Sequence, residues 1–223
     1  MSKDERLQSG VSDGGLFDHE LFERCAERII TASRDIYSRG WSPATSSNYS
    51  VRINAECCAI TVSGKHKGEL GLRDVMAVDL QGRPLMGRKP SAETLLHTQL
   101  YAREPGVGAV LHTHSVRATV LTMELDAVDT LVLQGYELQK AFAGVTTHES
   151  ELRIPVFDNT QDMVQLSEAV EARMQREGTG VAYLIRGHGL YTWAEDLSVC
   201  MRHLEALEFL LDCEWQRYSV RAR

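Results

Sequence analysis

Apolar positions recur along this chain with two periods, and the switches between them mark out the elements. After Asp18, a residue suited to cap a helix, Leu21, Ile29, Ala32 and Ile36 recur at helical spacing, and Gly40 follows. This predicts a helix to residue 38. Residues 49–53 and 59–62 read as the strands of a hairpin, and residues 75–80 and 82–85 as another strand and its return. Ser91-Ala92-Glu93-Thr94 starts a helix that runs to 103, and Val107 with residues 109–111 forms a strand. Ser115 caps a helix over 116–123, and 128–133 and 153–157 are strands. Thr160 caps a helix over 163–176 that Gly178-Thr179-Gly180 breaks. Two further strands, 181–185 and 190–193, precede a closing helix over 195–217, whose Leu197, Cys200, Met201, Leu204, Leu207, Leu210 and Leu211 form an apolar stripe. Strands alternate with helices and hairpins, without repeat or linker. The pattern predicts a single α/β domain over residues 16–223 behind a flexible, Ser/Gly/Asp-rich leader, residues 1–15.

Charge and composition narrow the partners. A formal charge of −7 with no Lys/Arg run argues against nucleic acid, since phosphate backbones need a basic face. No apolar run approaches the ~20 residues of a membrane span, and the polar start lacks the apolar core of a signal peptide. No membrane partner and a cytoplasmic location are expected. Five cysteines without a Cys-x-x-Cys fit reduced thiols.

Candidate chemistry gathers where strands end. His112-Thr113-His114 continues the strand at 109–111, and residues i and i+2 of an extended segment share a face, so both imidazoles can converge on one point. That spacing suits a metal, and equally two histidines on a surface loop. His188 leaves another strand between Gly187 and Gly189, which suits a third ligand or a plain tight turn. Ser63-Gly64-Lys65-His66-Lys67-Gly68 combines small residues and lysines, a composition that holds a phosphate or simply makes a solvated turn. Glu93, in a first helical turn, reads by default as a structural, dipole-favoured group, and Glu137 as a solvated one.

Taken together, Pro43-Ala44-Thr45-Ser46-Ser47-Asn48, Ser63-Gly64-Lys65, Ser91-Ala92-Glu93, His112-Thr113-His114 and Gly187-His188-Gly189 resemble, in order and spacing, the class II aldolase/adducin-head family. The resemblance covers nearly the whole chain. Residues 39–46, 133–142, 148–155 and 187–211 are similar to its sugar-phosphate dehydratases. What the resemblance implies is a three-layer α/β/α fold with a central, largely antiparallel sheet, assembling as a C4 homotetramer with sites at subunit borders. It implies one Zn2+ per subunit on His112, His114 and His188, and a substrate phosphate held by Asn48, Ser63, Gly64 and Ser91, with Lys65 beside them. Glu137 matches the acid/base glutamate of the dehydratases, and Glu93 the glutamate that neighbours the metal in the aldolases. The implied activity is removal of water from a 2-ketose 1-phosphate with hydroxyls at C3 and C4 and a methylthio group at C5. An aldolase or epimerase acting on another ketose phosphate, and a non-catalytic assembly module, are the alternatives. One position departs from the family: Ser47 stands where a glycine is usual, so a positive φ there would carry strain.

Overall fold

Asp18 starts the first helix as its side chain suggests, accepting hydrogen bonds from the backbone amides of Glu20 (2.7 Å) and Leu21 (3.3 Å). The computed structural model describes residues 17–125 and 128–221, and the expected leader lies outside the described residues. The helices are α1 (His19–Ser38), α2 (Thr94–Arg103), α3 (Val116–Glu124), α4 (Met163–Glu177) and α5 (Leu197–Arg221). The strands are β1 (Asn48–Arg52), β2 (Cys57–Thr61), β3 (Val75–Asp79), β4 (Ala109–Thr113), β5 (Thr130–Leu133), β6 (Leu152–Phe157), β7 (Ala182–Ile185) and β8 (Gly189–Ala194).

They form one eight-stranded sheet in the order β3-β2-β1-β4-β8-β7-β6-β5. Only the β6–β7 pair is parallel, so the sheet is largely antiparallel as expected. Successive side chains of a strand face opposite sides, and here each side meets its own core. Ala59, Ala109 and Leu111 pack with apolar residues of α1, α3 and α5, including Ile29, Leu121 and Leu204. Cys58, Ile60 and Val110 pack with Leu96 and Leu100 of α2 and Leu166 and Val170 of α4. Two cores on the two faces of one sheet make the three-layer α/β/α arrangement.

Local details depart from the sequence reading. Asp162, not Thr160, caps α4: its carboxylate accepts from Val164 and Gln165, while the Thr160 hydroxyl accepts from the Asp162 amide. A carboxylate closer to the first turn wins. The return strand at 82–85 shrinks to a single bridge between Val78 and Pro84, held by hydrogen bonds from the Leu85 amide to the Ala77 carbonyl and from the Asp79 amide to the Arg83 carbonyl, both 3.0 Å.

Candidate active site

The central pair of strands places the histidines. His112 and Thr113 of β4 lie opposite Tyr191 and Leu190 of β8, and His112 lies opposite Asn48 of β1 on its other side. The approach of β8 depends on a missing side chain. A Cβ on Gly189 would stand 2.0 Å from the Thr113 carbonyl oxygen and 3.2 Å from His112 Cε1. Next to it Gly187, with φ +62°, turns the chain from β7 into β8, so that His188 faces the end of β4.

The three imidazoles meet through their Nε2 atoms, 2.7 Å between His112 and His114 and 3.1 Å between His114 and His188. Glu93, on the residue just before α2, brings its carboxylate within 3.3 Å of Nε2 of both His112 and His188. These four side chains offer ligand atoms all within 4.8 Å of one another, the one such group among the described residues. The donor chemistry fits a divalent ion. His112 Nδ1 lies 3.0 Å from the Leu190 carbonyl, a contact that fixes the proton on Nδ1 and leaves the Nε2 lone pair aimed at the common point. Burial pushes the His112 pKa well below its ordinary value, and burial with the neighbouring His188 brings His114 down to about 4, so both stay neutral and able to ligate. Burial of Glu93 opposes its charge, but the electrostatics of the histidine cluster and the hydrogen bonds from His188 and Asn48 outweigh that and hold the carboxyl well below the usual range.

Oxygen Oε2 of Glu93 accepts from Asn48 Nδ2 at 2.6 Å and from the Tyr191 hydroxyl at 2.9 Å. Tyr191 was not legible as a site residue, because an aromatic in a strand reads as core; only its register opposite His112 identifies it. Beside the histidines a cavity of about 130 Å³ is lined by residues 45–48, Thr61, Val62, Ser63, Gly64, Ser91, Glu93 and His114. It brings Asn48, Ser63, Gly64 and Ser91 together on one small polar hollow, next to the ligand cluster. Ser47, in its wall, has φ +72° and is only 8% exposed.

Two sequence candidates stand elsewhere. The Lys65 ammonium turns away to pair with Asp74 at 3.1 Å and does not line the cavity. Lys67, two residues on, is instead 1% exposed, and its ammonium donates to the carbonyls of Thr45 (3.2 Å) and Lys65 (2.8 Å), tying together the two loops that form the hollow. Burial lowers its pKa to about 8. Two lysines two apart in a glycine-rich turn gave no signal for choosing between them. Glu137 opens a 3-10 turn at Glu137–Ala141, where its exposed carboxylate pairs with Lys140 at 2.6 Å and His148 at 4.0 Å. Within a single chain it does not join the histidine cluster.

Residues 27–215 match the model of the class II aldolase and adducin N-terminal domain. The chain belongs to that family. It is 56% identical over 202 residues to the methylthioribulose-1-phosphate dehydratase of Pseudomonas fluorescens (strain Pf0-1), covering 90% of this chain and 97% of the relative. It is 55% identical over 207 residues to the enzyme of that name from Marinobacter nauticus (strain ATCC 700491 / DSM 11845 / VT8), covering 92% and 100%. Among solved structures, the L-fuculose-1-phosphate aldolase of Thermus thermophilus superposes with a TM-score of 0.71 at 23% identity, covering 91% of this chain and 99% of that one. A sugar-phosphate aldolase from Thermotoga maritima gives 0.65 at 18%, covering 89% and 96%. At such identities the likeness establishes the fold.

Proposed function

We propose that this chain is a zinc-dependent hydro-lyase that dehydrates 5-methylthioribulose 1-phosphate to 2,3-diketo-5-methylthiopentyl 1-phosphate, a step of methionine salvage. The observation that carries the reading is the 55–58% identity, along nearly the whole length, to dehydratases of that name. The converging imidazoles beside an anion-sized hollow supply what such a reaction needs. Three neutral nitrogen ligands suit Zn2+ and leave room for substrate oxygens.

A divalent ion on His112, His114 and His188 would polarise the C2 carbonyl, so that the proton on C3 becomes acidic. The chain's own groups do the rest. Ser63, Gly64 and Ser91 hold the phosphate, and the buried charge of Lys67 favours the anion from behind the loops. Glu93, held as an anion by Asn48 and Tyr191, orients the ligand set and the substrate. Glu137 moves the proton: C3 loses its hydrogen, the C4 hydroxyl leaves as water after taking a proton, and the resulting enol tautomerises to the 2,3-diketone. The Glu137 side chain is 71% exposed and outside the histidine cluster of its own chain, so this reading has it serve the cluster of a neighbouring copy in the C4 homotetramer that the family resemblance implies. We place the enzyme in the cytoplasm; no described helix is long and apolar enough to cross a membrane.

The deciding experiment supplies methylthioribulose 1-phosphate to the metal-loaded protein and follows products by mass spectrometry. Loss of one water is the expected result. Release of a phosphorylated three-carbon fragment would replace the dehydratase with an aldolase.

A further inference from the structure

Behind Glu93 a line of buried polar groups runs away from the cavity, along β1 and α2. Asn48 donates from Nδ2 to Glu93, and its Oδ1 accepts from His97 Nε2. His97 Nδ1 lies 2.7 Å from the Ser50 hydroxyl, and Ser50 lies 2.8 Å from the Tyr101 hydroxyl. All four are shut from water, with Asn48 at 5%, Tyr101 at 1%, and Ser50 and His97 at 0% exposure. The elements explain the alignment: Asn48 and Ser50 are alternate residues on one face of β1, and His97 and Tyr101 are one turn apart on α2. No solvent can satisfy these atoms, so each must find its partner within the line.

The direction of every hydrogen bond follows from one end. An ionised carboxylate only accepts, so Asn48 must present its NH2 to Glu93 and hence its oxygen to His97. His97 must then carry a proton on Nε2. Burial lowers its pKa to about 4, so it is neutral, and Nδ1 is left as an acceptor. The Ser50 hydroxyl donates to Nδ1, and the Tyr101 hydroxyl donates to Ser50. Tyr101, Ser50, His97 and Asn48 thus point their donors the same way, toward Oε2 of Glu93. With Asn48 and Tyr191 both donating to Oε2, the carboxylate is held with Oε2 3.3 Å from His112 Nε2 and Oε1 3.3 Å from His188 Nε2.

We propose that His97 is a positioning residue for the reaction: acting through Asn48, it fixes the orientation of the Glu93 carboxylate against His112 and His188, with Ser50 and Tyr101 fixing its own tautomer. The role is mechanical. A rotated Asn48 amide would present an oxygen to the Glu93 anion, and a His97 with its proton on Nδ1 would allow that rotation. The inference rests on the place given to Glu93 in the dehydratase reading, and its first test needs no turnover.

In metal-loaded wild-type protein labelled with 15N-histidine, His97 should give the nitrogen shifts of the neutral Nε2–H tautomer at about pH 7.5, well above its lowered pKa. An Nδ1–H tautomer or an imidazolium would overturn the inference, while leaving the dehydratase reading intact. The second test uses two variants, His97→Gln, whose amide can still donate to Asn48, and His97→Leu, which cannot. His97→Leu should lower kcat about 10–100-fold, the range for partners that orient a metal site, with KM for the sugar phosphate within about twofold of wild type. His97→Gln should recover most of that loss. Equal kcat in the two variants, or a change confined to KM, would remove His97 from the positioning role. Absence of wild-type turnover with this substrate would instead overturn the dehydratase reading.

Discussion

Tyr191 lies flat against His112, with ring centroids 4.0 Å apart and planes 16° from parallel, and its hydroxyl reaches past the imidazole to Glu93. The β4–β8 register sets this pair. It gives His112 a wall on one side and the Leu190 carbonyl as a fixed partner for Nδ1, so the ligand is oriented before any ion arrives.

His112→Ala, His114→Ala and His188→Ala should each reduce bound metal and activity together while the protein stays folded. The three rings touch one another at centroid distances of 4.5 to 5.0 Å, and none of them belongs to either apolar core. Metal analysis by mass spectrometry with circular dichroism checks this. A variant with full metal occupancy and full turnover is not missing a ligand.

The anion hollow gives a graded outcome. Ser63→Ala, Ser91→Ala and Lys67→Met should raise KM for the phosphorylated sugar, by about tenfold or more where a charge-assisted bond is lost. Lys65→Ala should leave KM unchanged, because that ammonium is paired with Asp74. Steady-state kinetics separates the two lysines: a large KM effect at Lys65 with none at Lys67 would invert the assignment.

Much of this was legible beforehand, for reasons that differ by element. Strand geometry puts His112 and His114 on one face and flanking glycines leave His188 room, but on spacing alone a surface loop and a tight turn fitted as well, and the family resemblance singled the three out. The α1 cap at Asp18 follows from local hydrogen bonding, which sequence carries directly. Lys67 and Tyr191 were not legible, since the burial of a lysine and the register of a strand are decided by residues far along the chain. Glu93 read as an ordinary first-turn acid for the same reason: its partners Asn48, His112, His188 and Tyr191 come from three strands and a turn.

Ser47 carries a left-handed backbone, φ +72°, at a buried position where the family resemblance leads one to expect glycine. A non-glycine residue there costs about 1–2 kcal/mol, partly offset by the extra freedom glycine has when unfolded. Ser47→Gly should therefore stabilise the protein by about 0.5–1 kcal/mol. Its own hydroxyl opposes this in part, through a 3.5 Å contact with the Trp41 carbonyl and a hydrogen bond with the buried Tyr49 hydroxyl. Denaturant unfolding measures the change, and a loss of stability would mean that the hydroxyl contact outweighs the strain.

Glu208 of α5 sits behind the histidine strand, 4% exposed, and accepts from the Thr113 hydroxyl at 3.1 Å. Burial raises its pKa from 4.5 to about 7. Between those values the folded state binds the proton that the unfolded state has released, so this group's contribution to stability falls as pH rises from about 4.5 to 7. The total is at most about 3 kcal/mol. Glu208→Gln removes the titration and should be more stable than wild type at about pH 8, with the advantage shrinking toward about pH 5. Paired urea unfolding at the two pH values checks it; a constant difference would mean that Glu208 does not titrate in this range.

The two glutamates can be separated by mixing subunits. Glu137→Gln keeps size but cannot carry a proton, and loss of a general acid/base typically costs about 10²–10⁴ in rate, so kcat should fall by that order with metal content intact. Glu93→Gln should cost less in kcat and weaken metal binding, since Glu93 stands against His112 and His188. If Glu137 serves a neighbour's site, oligomers assembled from Glu137→Gln and His112→Ala chains contain some sites with intact histidines from one chain and an intact Glu137 from the other. Activity should then reappear on mixing two inactive proteins after dissociation and reassembly. No recovery, with the oligomer verified by light scattering, would place Glu137 in its own subunit's chemistry or outside it. A Glu93→Gln variant without turnover beside a near-normal Glu137→Gln would move proton transfer to Glu93.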